Sequence, residues 1–367
     1  MDFSLNEFQA MLSDSVAKFV SNEYDFETRQ ASAAAPRGFN DAIWQNFCDL
    51  GWTALPFSEA EGGLDGGPIE TMLLMQHFGR GLVVEPYLAN IVLAGGVLRR
   101  LASDTQKSRW LAPIIAGELQ AALAFAEPQS RYDIGDIGTT ATRDADGWLI
   151  NGSKAVVLNG GNAELLIIPA VLDGVSLFAV AADTDGVTRR RYSTVDGATA
   201  AEITLRNVRV DSGALLGTAG DGLATLEAVL DEAILAVCAE GVGIMQALTE
   251  KTVEYSKNRV QFGVPIGSFQ ALQHRMVDMF TATEQSYSLL LWATMASAAA
   301  ADDAKRAVSA IKYQIGTAGK RVGQEAVQLH GGMGMSWEFD VGHYFKRLTV
   351  IGQLFGNADW HLDRLAQ

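Results

Sequence analysis

Hydrophobic and polar positions divide the chain into three stretches of different period. In the first, Phe3, Phe8, Met11, Leu12, Val16, Phe19 and Val20 recur at helical spacing, which predicts an amphipathic helix burying one stripe. Ile43, Trp44, Phe47 and Leu50 repeat the pattern before Gly51, and the run Ile69 to Phe78 repeats it after a Gly-rich loop from Ser58 to Pro68. Two more helices are expected, around Pro86 to Leu101 and Asp104 to Ile115. The middle stretch changes period. Trp148 to Gly161 reads as strand, turn and strand, while Leu165 to Ala170, Val175 to Val180 and Ala201 to Leu205 read as short strands. Closely spaced turn residues between them predict a compact antiparallel β-domain. The last stretch is Ala-rich and helical over Ala224 to Asn258, Phe269 to Ala301, Asp302 to His330 and Phe345 to Ala366, the pattern of a four-helix bundle. The fold class is α+β: a helical domain over 1–120, a β-domain over 121–217 and a C-terminal helical bundle over 218–367.

Composition narrows the function. The 367 residues are 48% hydrophobic and 19% charged, which suits two or three folded domains. The net charge of −15, with no Lys/Arg block, argues against nucleic acid as a partner. Any anionic ligand must be held by a few local Arg, Lys or backbone N–H groups. Cys48 and Cys238 lie in apolar helical patterns and read as reduced core residues. The five His are scattered without metal spacing. Leu289 to Ala301, the most apolar run, is too short to span a bilayer. The segment Met1 to Glu7 has no basic region followed by an apolar run. A cytoplasmic enzyme or enzyme subunit, off the membrane, is the expectation.

Two stretches carry chemistry. Tyr255-Ser-Lys-Asn-Arg259-Val-Gln261-Phe262-Gly263-Val-Pro-Ile-Gly-Ser-Phe-Gln270 reads as a helix end, a Gly-Pro-Gly turn and an amphipathic segment. Its Arg and Gln side chains offer planar donors that suit pyrophosphate and adenine. Gln328-Leu-His330-Gly331-Gly332-Met-Gly334 is a Gly-rich turn after an apolar helix; glycines let a backbone approach a ligand closely. The plainer alternatives are a solvated helix-end Arg and an ordinary glycine C-cap. A Rossmann-type Gly-x-Gly-x-x-Gly is absent.

These stretches, with the domain order, resemble the acyl-CoA dehydrogenase flavoenzymes over almost the whole chain. The resemblance implies FAD as cofactor, with Arg259 on its pyrophosphate and Gln261, Phe262 and Gln270 framing the adenine end. It implies that Gln328, Gly331 and Gly332 reach the cofactor of a neighbouring subunit. Two further matches concern the flavin ring. In Leu123-Ala-Phe-Ala126-Glu127-Pro128-Gln-Ser130-Arg131-Tyr132-Asp133 the family's Thr is Ala126 and the turn carries bulky Arg131 and Tyr132. In Asn151-Gly-Ser-Lys154-Ala-Val156-Val157-Leu158-Asn159-Gly160 the family's Trp and Thr are Val156 and Leu158, and Leu cannot donate a hydrogen bond.

The implied reaction forms a trans-2-enoyl-CoA: a carboxylate takes the α-proton of an acyl-CoA and the β-hydride goes to flavin N5, with electrons passing on to an electron-transfer flavoprotein. One family position for that base, in a Tyr-Glu-Gly-Thr turn, is Phe355 here. The other, counted back from Phe262 along the long helix, is Ala233. Glu240 is the remaining catalytic candidate. It lies seven residues on from Ala233 on nearly the same face, about 10 Å further along the axis at 1.5 Å per residue. The alternative for Glu240 is partnership with a buried Arg or Lys. Asp231 and Glu232 face elsewhere and read as solvated or capping residues. The departures resemble a bacterial subset in which two different chains form a mixed tetramer on bulky acyl-CoA esters. The expected assembly is a homo- or hetero-tetramer with a second acyl-CoA dehydrogenase chain, and a catalytically silent structural subunit is the alternative function.

Overall fold

The computed structural model describes residues 4–366; Phe3 lies outside the described residues. A helical region comes first: α1 (Glu7–Glu23), α2 (Phe26–Ala34), α3 (Asp41–Asp49), α4 (Pro68–Gly81), a wide π-helical stretch (Leu88–Gly95) leading into α5 (Gly96–Leu101), then α6 (Asp104–Gln106) and α7 (Ala112–Ile115). A β-sheet region follows with β1 (Ala121–Leu123), β2 (Thr140–Asp144), β3 (Gly147–Leu158), β4 (Leu165–Val171), β5 (Val175–Ala181), β6 (Val187–Ser193), β7 (Thr199–Asp211) and β8 (Leu215–Leu216). The C-terminal region is helical: α8 (Gly222–Asn258), a small hairpin of β9 (Val260–Gln261) and β10 (Val264–Pro265), α9 (Gln270–Ala298), α10 (Ala304–His330), α11 (Val341–Ile351) and α12 (Ala358–Ala366). Among the described residues no helix is long and apolar enough to cross a membrane. By contacts the chain forms two compact units, one of Ser32–Gly66 and Val84–Ala233, the other of the chain up to Ala31, Gly67–Val83 and Ile234 onward.

The first of these units holds the sheet, in the order β6-β7-β3-β2-β4-β5-β8 with β1 beside β4. Trp148, Ile150, Leu166, Ile168, Phe178, Val180, Ile203 and Leu205 fill its core. The sheet is mixed rather than wholly antiparallel. β1 runs parallel to β4, and β2 meets β4 in parallel at Thr140 and Val171. The strand–turn–strand expected from Trp148 to Gly161 is one strand of 12 residues. Its Asn151-Gly152 makes an irregularity instead of a hairpin, with register shifts at Ile150/Gly152 and Lys154/Val157. Only glycine fits there, because a Cβ on Gly152 would lie 2.3 Å from Thr139 Oγ1. β2 and β6 escaped the sequence reading because neither alternates apolar and polar residues. β6 is the outer strand, and it carries Arg189, Arg190 and Arg191 in a row.

Inside this sheet unit sits a buried ion pair. Lys154 is fully buried, and its ammonium donates to Glu127 Oε1 at 2.6 Å and to the Pro169 carbonyl at 2.7 Å. Glu127 also accepts from the Thr139 hydroxyl and amide, the Gly138 amide and the Gln129 side chain. The carboxylate is thus held by five donors and the ammonium by two acceptors, the kind of pairing that offsets the cost of burial. The donors tie the 126–139 loop to β3 and β4.

In the other unit, two helices cross at backbone distance. A Cβ on Gly79 of α4 would lie 2.1 Å from the Glu240 carbonyl of α8, and one on Gly243 would lie 1.9 Å from the Gln76 carbonyl. Glycine is required at both points. Gln76 and Gln246 hydrogen-bond across the crossing at 2.9 Å. α1 begins with a reciprocal cap, Asn6 with Gln9, and Gln9 reaches Glu70 of α4 at 2.8 Å. The single helix expected from Phe345 to Ala366 is two, α11 and α12. The break at 352–357 places Phe355 at φ +58° and Gly356 at φ +114°, a conformation that helix hydrogen bonding does not allow.

The acid side of stability follows from Glu127. Burial works against its charge, but hydrogen bonds from Gln129, Lys154 and Thr139 outweigh that and hold its pKa at about 2. A depressed carboxyl stabilises fully above its ordinary value near 4.5, and that contribution fades as pH falls towards about 2. Glu127→Gln is expected to cost about 3–5 kcal/mol at pH 7, by leaving Lys154 buried and uncompensated. The deficit should shrink through that acid window in urea melts.

Candidate functional site

The Arg259 segment is a hairpin rather than a Gly-Pro-Gly turn. β9 and β10 pair directly, Gln261 opposite Val264, around a two-residue tip of Phe262 and Gly263. Both tip residues have positive φ, +55° and +80°, the type I′ geometry that the strand twist favours. The Phe262 side chain is 92% exposed. Arg259, Gln261 and Gln270 are all exposed, and the Arg259 guanidinium has no ion pair or hydrogen bond among the described residues. Gln261 donates only to the neighbouring Val260 carbonyl, at 2.8 Å.

The Gly-rich turn lies against the same helix end. Tyr255, one turn before Arg259, stacks on His330 with ring centroids 4.4 Å apart, and its hydroxyl donates to the His330 carbonyl at 3.4 Å. α10 ends there with Gln328 exposed, and Gly331 turns the chain at φ +59°. Nothing lies within 4 Å of where a Cβ would sit on Gly263, Gly331 or Gly332, so these backbones are open to a ligand. Met333, Met335 and Trp337 follow, all exposed. Their alternating spacing between small residues was the overlooked signal.

On the sheet side, the Ala155 amide donates to the Ala126 carbonyl at 2.9 Å, which brings the 123–133 and 151–160 motifs together. Leu158 and Ala126 are half-buried, and neither has a polar side-chain atom. Asn159 fixes the strand end: its amide group donates to Gln120 Oε1 at 3.1 Å and accepts from Asn162 at 2.8 Å. Eleven described non-glycine residues have positive φ; Arg131, Val156, Asn159 and Phe262 lie in three of the four motifs, and Phe355 is another. A β-branched residue such as Val156 pays most for that conformation, and such outliers concentrate at functional sites.

None of the three base positions offers a free carboxylate. Phe355 is apolar, and Ala233 is fully buried. Glu240 is 3% exposed and grips Arg347 of α11 through two parallel bonds, Arg347 Nε to Oε1 at 2.5 Å and Nη2 to Oε2 at 2.7 Å. A carboxylate bound at both oxygens is a strut rather than a base, so the ion-pair alternative for Glu240 prevails over the catalytic one. Glu232 also differs from expectation. It is partly buried and holds both Arg99 and Arg100, each at 2.6 Å.

Lys312 and His361 escaped the sequence reading altogether. Both are fully buried. Lys312 donates to the Gly356 carbonyl at 2.6 Å, and His361 Nε2 lies 3.1 Å from the Phe355 carbonyl. A lone Lys among the apolar positions of α10 was the available signal. Burial pushes its ammonium down to about 8.

Three family descriptions match the chain: acyl-CoA dehydrogenase N-terminal domain over residues 6–118, middle domain over 122–208 and C-terminal domain over 220–367. It is 30% identical to the probable acyl-CoA dehydrogenase YngJ of Bacillus subtilis, covering 96% of each chain. Among solved structures it is similar to the ChsE4–ChsE5 complex of Mycobacterium tuberculosis, at a TM-score of 0.92 and 26% identity, covering 100% of this chain and 98% of that one. It is equally similar to PigA with FAD and proline, at a TM-score of 0.93 and 26% identity, with the same coverage.

The strut role of Glu240 has a direct test. Glu240→Gln is expected to destabilise by about 3–5 kcal/mol, because Arg347 then stays buried beside a neutral amide. Glu240→Gln with Arg347→Met should recover most of that in a thermal double-mutant cycle. A melting curve unchanged by Glu240→Gln would return this residue to consideration as a base.

Proposed function

The chain belongs to the acyl-CoA dehydrogenase family, and on that premise we propose that it is the FAD-binding, base-deficient subunit of an acyl-CoA dehydrogenase built from two kinds of chain. One observation carries the proposal: of the three positions that the resemblance offers for the base, Phe355 and Ala233 are apolar and Glu240 is bound at both oxygens by Arg347. Similarity to a complex of two named chains, ChsE4 and ChsE5, supports a partner as the source.

The residues present fit FAD at its phosphate end. Arg259 offers an unspent guanidinium whose fork matches phosphate oxygens, and the open backbones of Gly331 and Gly332 admit a ligand from an adjoining chain. Gln261, Phe262 and Gln270 frame the adenine, with Gln328 reaching from the neighbour. Bound FAD supplies the acceptor for the hydride that leaves the β-carbon of the acyl thioester. Ala126 and Leu158 line the ring face and exclude water there, but they donate nothing to it. An acyl-CoA is the substrate class, and the product is the trans-2-enoyl-CoA. An electron-transfer flavoprotein is the onward acceptor. The division at 1–120, 121–217 and 218–367 is the matching domain reading.

The absence of a donor at Ala126 and Leu158 favours one second reading, a silent subunit that only stabilises its partner. Flavin content separates the two. The chain purified with its partner should carry flavin that an acyl-CoA bleaches, and Arg259→Ala should weaken FAD retention roughly 10- to 100-fold, from the loss of a charge-assisted contact of about 1.5–3 kcal/mol. Full FAD occupancy in that variant would remove Arg259 from the site. Turnover by this chain alone, with release of α-deuterium from a labelled acyl-CoA, would refute the missing base.

A further inference from the structure

A cavity of about 630 Å3 lies wholly within the unit that holds α1, α4 and α11. It shares no lining residue with Arg259, the glycine turn or the three base positions. Its walls are the second half of α1, the end of α4, one face of α8 and the start of α11, and its size suits a small ligand. The floor is apolar, with Tyr24, Leu82 and Ala247 all buried. At one edge α1 and α4 close on each other, where a Cβ on Gly81 would lie 2.8 Å from Val20 Cγ1. The charged groups around the cavity sort by pairing. Arg80 holds Glu250 at 2.6 Å and Lys251 holds Asp340 at 2.8 Å, so two cations and two anions cancel within the protein. His77 is engaged with the Ser13 hydroxyl at 2.9 Å, and burial, aided by Arg80, lowers its pKa and keeps it neutral. Two charges are left over, one of each sign. Lys18 and Asp25 line the cavity, both are exposed, and neither forms an ion pair among the described residues. Asp25 accepts from the Thr28 amide at 2.8 Å but meets no cation. α1 ends at Glu23 with no basic residue in its last turn, so its terminal carbonyls add negative potential beside Asp25.

We infer that this cavity binds a small zwitterion of the ω-amino-acid class, with an ammonium and a carboxylate at opposite ends of an apolar body. The carboxylate meets Lys18. The ammonium meets Asp25 and the carbonyl end of α1. The methylenes between them cover Leu82, Ala247 and the Tyr24 ring. Lys18 stands more than one turn back from the helix end beside which Asp25 sits, so charges at two ends of a ligand span the pair better than adjacent ones. A ligand with a single charge leaves one of the two groups unmatched, and the resident pairs of Arg80 and Lys251 stay intact. This site stands apart from the functional reading above and needs neither FAD nor an acyl thioester.

Calorimetric titration of the full chain at neutral pH and low salt compares 6-aminohexanoate with hexanoate and hexylamine, which keep the body and one charge each. The zwitterion should bind roughly fivefold tighter than either, the scale of one partly exposed ion pair. Lys18→Met keeps the apolar stem and removes the charge; it should bring 6-aminohexanoate level with hexylamine. Asp25→Asn keeps an oxygen for the Thr28 amide; it should bring 6-aminohexanoate level with hexanoate. Both side chains are exposed, so neither variant should shift the melting temperature, and the fold stays comparable across the series. No binding of 6-aminohexanoate, equal affinity for the three probes, or a preference that survives both substitutions would overturn the inference.

Discussion

The buried pair of Lys154 and Glu127 is the constraint on which the sheet region rests. A cation and an anion are both taken out of water, and each is then supplied with a further partner beyond the other. That arrangement sets where the 126–139 loop lies against β3. Around it lie the Ala155–Ala126 hydrogen bond, the irregular stretch that leaves Val156 exposed, and the strand end fixed by Asn159.

The helical unit repeats this logic with a different result. Glu240 has the composition of a catalytic group and the surroundings of a structural one. Its two oxygens are matched to a planar guanidinium, its backbone is pressed against Gly79, and its helix face is apolar. Arg259 and the glycine turn are exposed, whereas Phe355 and Ala233 are apolar and Glu240 is already paired.

Much of this was legible in the sequence. Helical periodicity located α1, α3, α4 and the three long C-terminal helices within a few residues, and the change to closely spaced turns located the sheet. What escaped has physical causes. β6 is an outer strand with both faces near water, so it has no hydrophobic alternation to read. Asn151-Gly152 resembles a hairpin signal, yet Thr139 on the neighbouring chain segment turns it into a bulge, and that contact is not local. The break between α11 and α12 hides in an amphipathic pattern that continues across it. For the proposed site, residue types and spacing singled out Arg259 and the glycine turn, which the structure leaves exposed. The pairing of Glu240 with Arg347, 107 residues away, depends on helix packing, as do the roles of Lys312 and His361.

The outer strand β6 deserves a different reading from the rest of the sheet. Its free edge offers a row of unpaired backbone groups, the kind of template on which a stray strand from another molecule can grow. Its arginines tie the strand back into its own chain: Arg189 donates to the Gly160 and Ala163 carbonyls and Arg191 to the Pro36 carbonyl. Charged side chains on both faces of an edge strand make it a poor template for an apolar strand.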